Sequence, residues 1–363
     1  MADSSDIVYF NALLVNDTDG YKAATYQAQL NQPVLDKAGT YYASIIRFSF
    51  PGATMPILNF ELLDEAKSDT EGIYGISLSF DDGKTVTNVS QNLEWQDFDL
   101  VNTNPTRKWI YSYRWMINMM NTALATAFSS LVSATSITTP TAPPWFEYDP
   151  TTKLITLYAE ETYNGNMSQN PVYIYVNVYL QKLLQGMGWL SNFPRSNVTQ
   201  ANNQDYRMDL RNYGSNLLSS KDDPNGTTLS NVYAITQEYA TLYNWNSFET
   251  LQILSYNMPV NNEVTPVEQD TGAFSTIPIL QDFLLPVSDG PDSRSIIQYN
   301  ATGQYRWLTL SSDQPLNQIN LNVNFTDTYG NTYPLILQPR SSGSIKLAFY
   351  RKKLLDPRVG VFM

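Results

Sequence analysis

Pairs of adjacent carboxylates and one pair of glycines are the residues whose types and spacing could do chemistry in this chain. Glu160-Glu161 supplies the two acids that glycoside hydrolysis needs. Asp81-Asp82 and Asp222-Asp223 supply oxygen ligands for a hard cation, and Gly186-Met187-Gly188 the close backbone approach of a phosphate cradle. Each falls short on spacing. Adjacent residues of a strand point to opposite faces, so Glu160 and Glu161 cannot act on one bond. Neither aspartate pair has the alternating spacing of a calcium loop, and both sit in turn sequences, Asp81-Asp82-Gly83 and Asp222-Asp223-Pro224-Asn225-Gly226. The glycine pair lacks the third glycine and the preceding strand of a dinucleotide site, and reads as a turn.

What the chain lacks narrows the chemistry further. Its 363 residues include no cysteine and no histidine. That removes thiolate nucleophiles, disulfides, imidazole relays, and the zinc and haem sites that need nitrogen or sulfur ligands. Carboxylate, lysine and tyrosine chemistry and oxygen-ligated metals would remain. No catalytic residue, metal site or cofactor is expected, and a carboxylate hydrolase is the last of the alternatives.

Lys and Arg number 22 against 34 Asp and Glu, a formal net charge of −12, so the surface as a whole repels phosphate backbones. Nucleic acid is not the expected main partner. Only 15% of residues are charged, whereas Tyr alone contributes 25, a composition suited to strand surfaces and large subunit contacts. The N-terminal Met1 to Asp6 has no basic segment followed by an apolar run, and no later stretch is apolar for long enough to span a bilayer. A product that is neither secreted nor inserted in a membrane is expected, and Asn-X-Ser/Thr triplets such as Asn88-Val89-Ser90 then carry no meaning.

The elements that must position these residues are mainly strands. Ile7 to Val15 opens the set, followed by a turn cluster, and Tyr41 to Phe50 alternates through Ile46, Phe48 and Phe50. Ile76, Leu78 and Phe80 alternate with serines up to Gly83, where a hairpin turn needs a positive φ. From Trp109 the period changes. Trp109, Tyr113, Met116, Ile117, Met120, Leu124, Phe128 and Leu131 predict a helix with one apolar stripe, packed in a core, ending at the proline-bearing connection Ser133 to Pro144.

Strands resume at Leu154 to Ala159 and Val172 to Tyr179. Asp205 to Gly226 reads as loop and Val232 to Tyr243 as a short helix. Phe248 to Tyr256, Ile296 to Tyr299 and Tyr305 to Leu310 follow as strands. Ile277 to Pro286 is an apolar extended segment expected to line the core or dock on a neighbour.

The strongest pattern lies near the end. Ile319, Leu321, Val323 and Phe325 share one face of a strand, with Gln318, Asn320, Asn322 and Asn324 on the other. A turn through Gly330 and the alternating Ile345, Leu347 and Phe349 predict a terminal β-hairpin. Arg351-Lys352-Lys353 with Arg358 is the basic cluster, open to genome, internal proteins, or acidic neighbours.

From Ile277 to Lys353 the motifs resemble the C-terminal half of the penton, or minor capsid, proteins of virophages and Maverick/Polinton-type elements. The resemblance is carried by Ile277-Pro-Ile-Leu-Gln-Asp-Phe283, by Arg294 to Tyr299, by Tyr305 to Leu310, and by Asp327 to Lys352. Weaker echoes lie in Tyr41 to Leu58, Pro171 to Leu184 and Leu251 to Glu263, in the family's order. Gln281 departs from it, standing where the family has threonine.

The resemblance implies a mostly β chain, a single jelly roll (an antiparallel β-sandwich) with inserted loops, a helix and a small projecting insertion. One core would run over residues 1–363, with 60–150 and 190–245 as elaborations and 277–353 as the strands that complete the roll. It further implies a homopentamer at the fivefold vertices of an icosahedral virion, made inside the host cell, with the major capsid protein of the same virion as its other partner. Ile277, Ile279, Phe283, Arg294, Arg306, Phe325, Phe349 and Arg351 are then candidates for the core or for subunit interfaces. Two rival readings are a double-jelly-roll major capsid protein, for which the chain is short, and a jelly-roll spike that binds a receptor or carbohydrate.

Overall fold

A computed structural model describes residues 7–52, 55–64, 68–96, 108–163, 170–190, 206–208, 210, 216–266, 274–284, 296–300 and 306–352. The protein is mostly β and divides into two compact units, 1–55 with 247–363, and 56–246. The chain opens with β1 (Ile7–Asn16), β2 (Thr25–Gln29) and β3 (Tyr41–Pro51) of the first unit. The second unit follows with β4 (Glu71–Asp81), β5 (Val86–Glu94), α1 (Tyr113–Thr135), β6 (Trp145–Tyr148), β7 (Ile155–Glu160), β8 (Val172–Val176), α2 (Val178–Leu183), β9 (Trp189–Leu190), β10 (Tyr206–Met208), β11 (Leu217–Asp222) and β12 (Thr228–Thr236). The chain then returns to the first unit with β13 (Phe248–Leu254), β14 (Ile279–Leu284), β15 (Ile296–Asn300), β16 (Gln318–Asp327), β17 (Thr332–Pro334) and β18 (Ser341–Arg351).

Two large antiparallel sheets form the body of the first unit, beside two-stranded pairs such as Lys22–Ala23 with Ile336–Leu337. One has the order β1–β18–β3–β15; in the other β14, β13 and β16 are neighbours, and β2 and β17 pair successive stretches of β16. Setting β17 aside and counting eight strands in chain order, the sheets read 1-8-3-6 and 2-7-4-5, the jelly-roll order. Their inner faces meet through Phe48 of β3 and Phe283 of β14, ring centroids 4.5 Å apart. Phe50, Phe325, Phe349, Leu321 and Leu347 are buried there with them.

That order corrects the expected terminal hairpin. β16 and β18 lie in opposite sheets, because consecutive strands of a jelly roll mostly change sheet and the segment between these two crosses the sandwich. The faces stand as the alternation predicts. Ile319, Leu321, Val323 and Phe325 are buried, and the amides point outward. In β3 the alternation shifts at a bulge: Lys346 pairs Arg47 and Leu347 pairs Ile45, so Ile46 is the extra residue and Ile45 takes the core position.

The second unit has the sheets β9–β10–β8–β4–β5 and β11–β12–β7–β6, with α1 packed on β4, β5 and β6. Residues 151–189, expected within the jelly-roll core between two elaborations, pair instead with both of those stretches, β8 with β4 and β7 with β6 and β12. Helix α1 has no Gly or Pro, buries Met116, Ile117, Met120, Leu124 and Leu131, and ends where Ser136 takes a left-handed conformation with φ 56. Its exposed Thr122, Thr126 and Ser133 hydroxyls donate to carbonyls four residues back. Trp109 falls outside the helix, in a two-residue strand against Leu58 and Asn59, because Ser112 is still extended.

Three further expectations change. The strand from Val172 stops at Val176, where Asn177 accepts from the Leu180 N–H at 3.1 Å and caps α2. Val232 to Thr236 is strand, not helix, because β12 is sandwiched between β7 and β11. Leu217 to Asp222, read as loop, is the outer strand of that hairpin.

Candidate functional site

The carboxylate pairs serve the backbone. Glu160 Oε1 accepts from the N–H groups of Thr141 and Ala142 at 2.8 and 2.7 Å and from the Thr141 hydroxyl. Asp82 accepts from the N–H groups of Thr85 and Lys84, and these bonds, Thr85 first, hold its carboxyl below the usual range. Asp81 accepts from Gly83 N–H, with Gly83 at φ 77 as the turn requires. Asp223 accepts from the Asn225 and Thr227 N–H groups in the β11–β12 turn. Among the described residues no three Asp or Glu side chains converge as a metal site would need. Gly186 is a close approach, not a cradle: a Cβ there would lie 2.4 Å from the Tyr239 carbonyl oxygen.

The residues singled out by motif divide by depth. Ile279, Phe325 and Phe349 are buried, while Ile277 and Phe283 are half-buried, Phe283 between the rings of Phe48 and Tyr299. Arg306 is paired with Asp282 at 2.8 Å and with Glu263. The Arg351 guanidinium stands 6.0 Å from the Tyr41 ring, and Lys352 donates to the Gly39 and Leu310 carbonyls. Lys352 is thereby tied to its own unit; Arg294 and Lys353 lie outside the described residues. The apolar segment from Ile277 is not covered throughout, since Leu284 is 82% exposed.

The two outer faces of the jelly roll differ in chemistry, a contrast that no single motif signals. The β1–β18–β3–β15 face carries Ile7, Tyr9, Leu13 and Val15 along β1, Tyr9 and Leu13 being 53 and 58% exposed. In its middle Lys346 and Arg47 are direct cross-strand partners. Lys346 Nζ sits 4.8 Å over the Tyr9 ring, and Arg47 makes no ion pair among the described residues. The β16 face carries amides: Gln318 pairs Gln29, Asn320 pairs Gln27, and Asn324 pairs Gln252. Asn320 accepts from the Ser255 hydroxyl and the Asn257 N–H.

Comparison with known proteins gives this architecture a context. A family model described as Sputnik minor capsid protein V18/19 matches residues 6–351. Structural protein V19 of Sputnik virophage is 30% identical over 216 residues, 58% of this chain and 94% of that protein. Protein V18 of the same virophage, described as uncharacterized, is 29% identical over 143 residues, 35% of this chain and 84% of that protein. A chain of the 3.5 Å cryo-EM structure of the Sputnik virophage superposes with a TM-score of 0.79 at 27% identity, covering 97% of this chain and 99% of that one. The crystal structure of the mavirus penton protein gives a TM-score of 0.68 at 14% identity, covering 95 and 99%, a likeness of fold.

Proposed function

Because the chain belongs to the Sputnik minor capsid protein V18/19 family, whose members are structural components of a virion capsid, we propose that it is a penton, five copies of which occupy each fivefold vertex of an icosahedral shell. The observation that carries this reading is the likeness over nearly the whole chain both to a chain of the Sputnik virion and to the fold of a mavirus penton protein. A jelly roll with chemically different outer faces supports it, since a ring needs two different patches that meet head to tail. In this reading the protein acts by geometry and performs no reaction. Its second partner is the major capsid protein of the same virion, and it is made within the host cell.

Sedimentation of the purified chain together with negative-stain images tests the proposal. A five-copy mass and rings of fivefold symmetry are expected, at protein concentrations that fill the vertex or on vertices released from virions. A stable trimer in both measurements overturns it.

A further inference from the structure

Resting on that fivefold reading, we infer that the ring contact joins the β1–β18–β3–β15 face of one copy to the amide face of the next. Four observations point to a second copy as the occupant of both faces. First, β1 is a ten-residue edge strand paired with β18 in unbroken register from Ile7 to Asn16. It has no Lys, Pro, Gly or bulge, the devices that keep exposed edges from pairing, and its outward residues include Ile7, Tyr9, Leu13 and Val15. Second, Lys346 and Arg47 stand side by side on neighbouring strands of a chain whose net charge is −12. Like charges directly opposite each other repel, and no carboxylate pairs with either among the described residues. Lys and Arg are donors without acceptor capacity, so this face asks for acceptor oxygens from outside.

Third, the opposite face supplies them. The side chains of Gln27, Gln29, Gln318, Asn322 and Asn324 form an acceptor-bearing surface without a cation on β2 or β16. Fourth, the donor face and the acceptor face lie on opposite sides of one sandwich. A single kind of contact can therefore be repeated around a ring, each copy giving one face and receiving the other.

A complementation experiment tests this. One variant carries Arg47→Glu and Lys346→Glu, which turns the donor face acidic. The other carries Gln27→Lys and Gln318→Lys, exposed positions that place cations where the neighbour's cations would arrive. Each variant alone is expected to sediment as a monomer with a melting temperature within a few degrees of the parent. An equimolar mixture is expected to give alternating hetero-oligomers, because the intact donor face of one variant meets the intact amide face of the other and the acidic face meets the basic one, and combining all four changes in one chain restores rings.

If the Gln27/Gln318 variant still forms rings, or the mixture stays monomeric, the choice of faces is wrong while the penton reading stands. If the donor-face variant alone loses assembly and the amide-face variant assembles normally, the contact is self-complementary through β1 and the inference is overturned. A parent chain that stays monomeric at every concentration and is missing from vertices overturns the fivefold reading itself. Should either double variant fail to fold, Tyr9→Asp and Gln29→Lys repeat the test one position away on each face.

Discussion

The two compact units of this chain hold themselves together by different means. The jelly roll of residues 7–52 and 247–352 buries alternating side chains of long strands, with Phe48, Phe50, Phe325 and Phe349 among its largest. The 56–246 unit buries the helix α1 against one side of its sheets, chiefly on β4 and β5, and ties loops and strand ends with polar groups: Asn121 bonds both the N–H and the C=O of Phe146, Asn177 caps α2 and donates to the Ile73 carbonyl, and Tyr163 donates to the Ala142 carbonyl. The difference teaches which perturbation each unit should feel. Apolar truncation and loss of a polar tether damage both, since in the jelly roll buried Asn16 donates to the Leu337 and Gln338 carbonyls and Asp327 accepts from the Tyr333 hydroxyl, whereas alkaline titration should fall mainly on the second.

The largest effect should come from truncating the cores. Phe325, edge-to-face with Phe248 at 5.1 Å, should cost about 3–5 kcal/mol on change to Ala, and Leu124 of α1 about 2–5 kcal/mol. In denaturant unfolding followed by tryptophan fluorescence, each change should move the transition of its own unit by more than that of the other. Equal displacement of one shared transition by both variants would show that the two cores unfold as a single cooperative block.

Alkaline titration should separate the units next. Burial pushes the Tyr163 phenol well above its ordinary range, and burial also raises Tyr158 and Tyr148, all in the 56–246 unit; in the jelly roll burial raises Tyr26. A group whose folded pKa is raised contributes stability that is whole below the unfolded value of 10.0 and is lost as pH rises through the folded value. The 56–246 transition should therefore weaken above about pH 10 before that of the jelly roll, as a pH series of melting curves would show. Asp82 and Asp149, held low by Thr85 and Thr151 N–H groups respectively, act with the opposite sign: their contribution is present above 3.8 and is lost as pH falls through the folded values.

A smaller step follows at Asn177. Replacing it by Ala removes the cap of α2 and should cost about 0.5–2 kcal/mol, read from the same transition. The smallest effect belongs to the jelly roll's outer amides. Asn322→Ala should change the monomer's stability by less than about 0.5 kcal/mol; a larger loss would mean that the amide face carries the fold and not only the surface.

Legibility in the sequence followed the same division. Ten-residue strands with strict alternation, such as Gln318–Asp327, show their buried face in the residues themselves, because period two holds wherever one face is covered. Their partners are not visible. Nothing in Ile345, Leu347 and Phe349 says that they pair with β1 and β3 and not with the preceding strand, since sheet switching is a property of the whole topology. In the 56–246 unit, Val232 to Thr236 carries too few residues to tell strand from helix by period alone, and Leu217–Asp222 is exposed on both faces and shows no alternation at all. The contrast between the outer faces was half readable. The asparagines stand out along β16, but the meeting of Lys346 with Arg47 depends on a bulge 300 residues away in sequence from its partner strand, a register that no local pattern encodes.

An icosahedral cryo-EM reconstruction of the virion would show whether the proposed fivefold role holds. Five copies of the jelly roll are expected around each fivefold axis, with Arg47 and Lys346 of one copy against the amide face of its neighbour. Density for the chain at hexavalent positions, or vertices filled by a different fold, would contradict it.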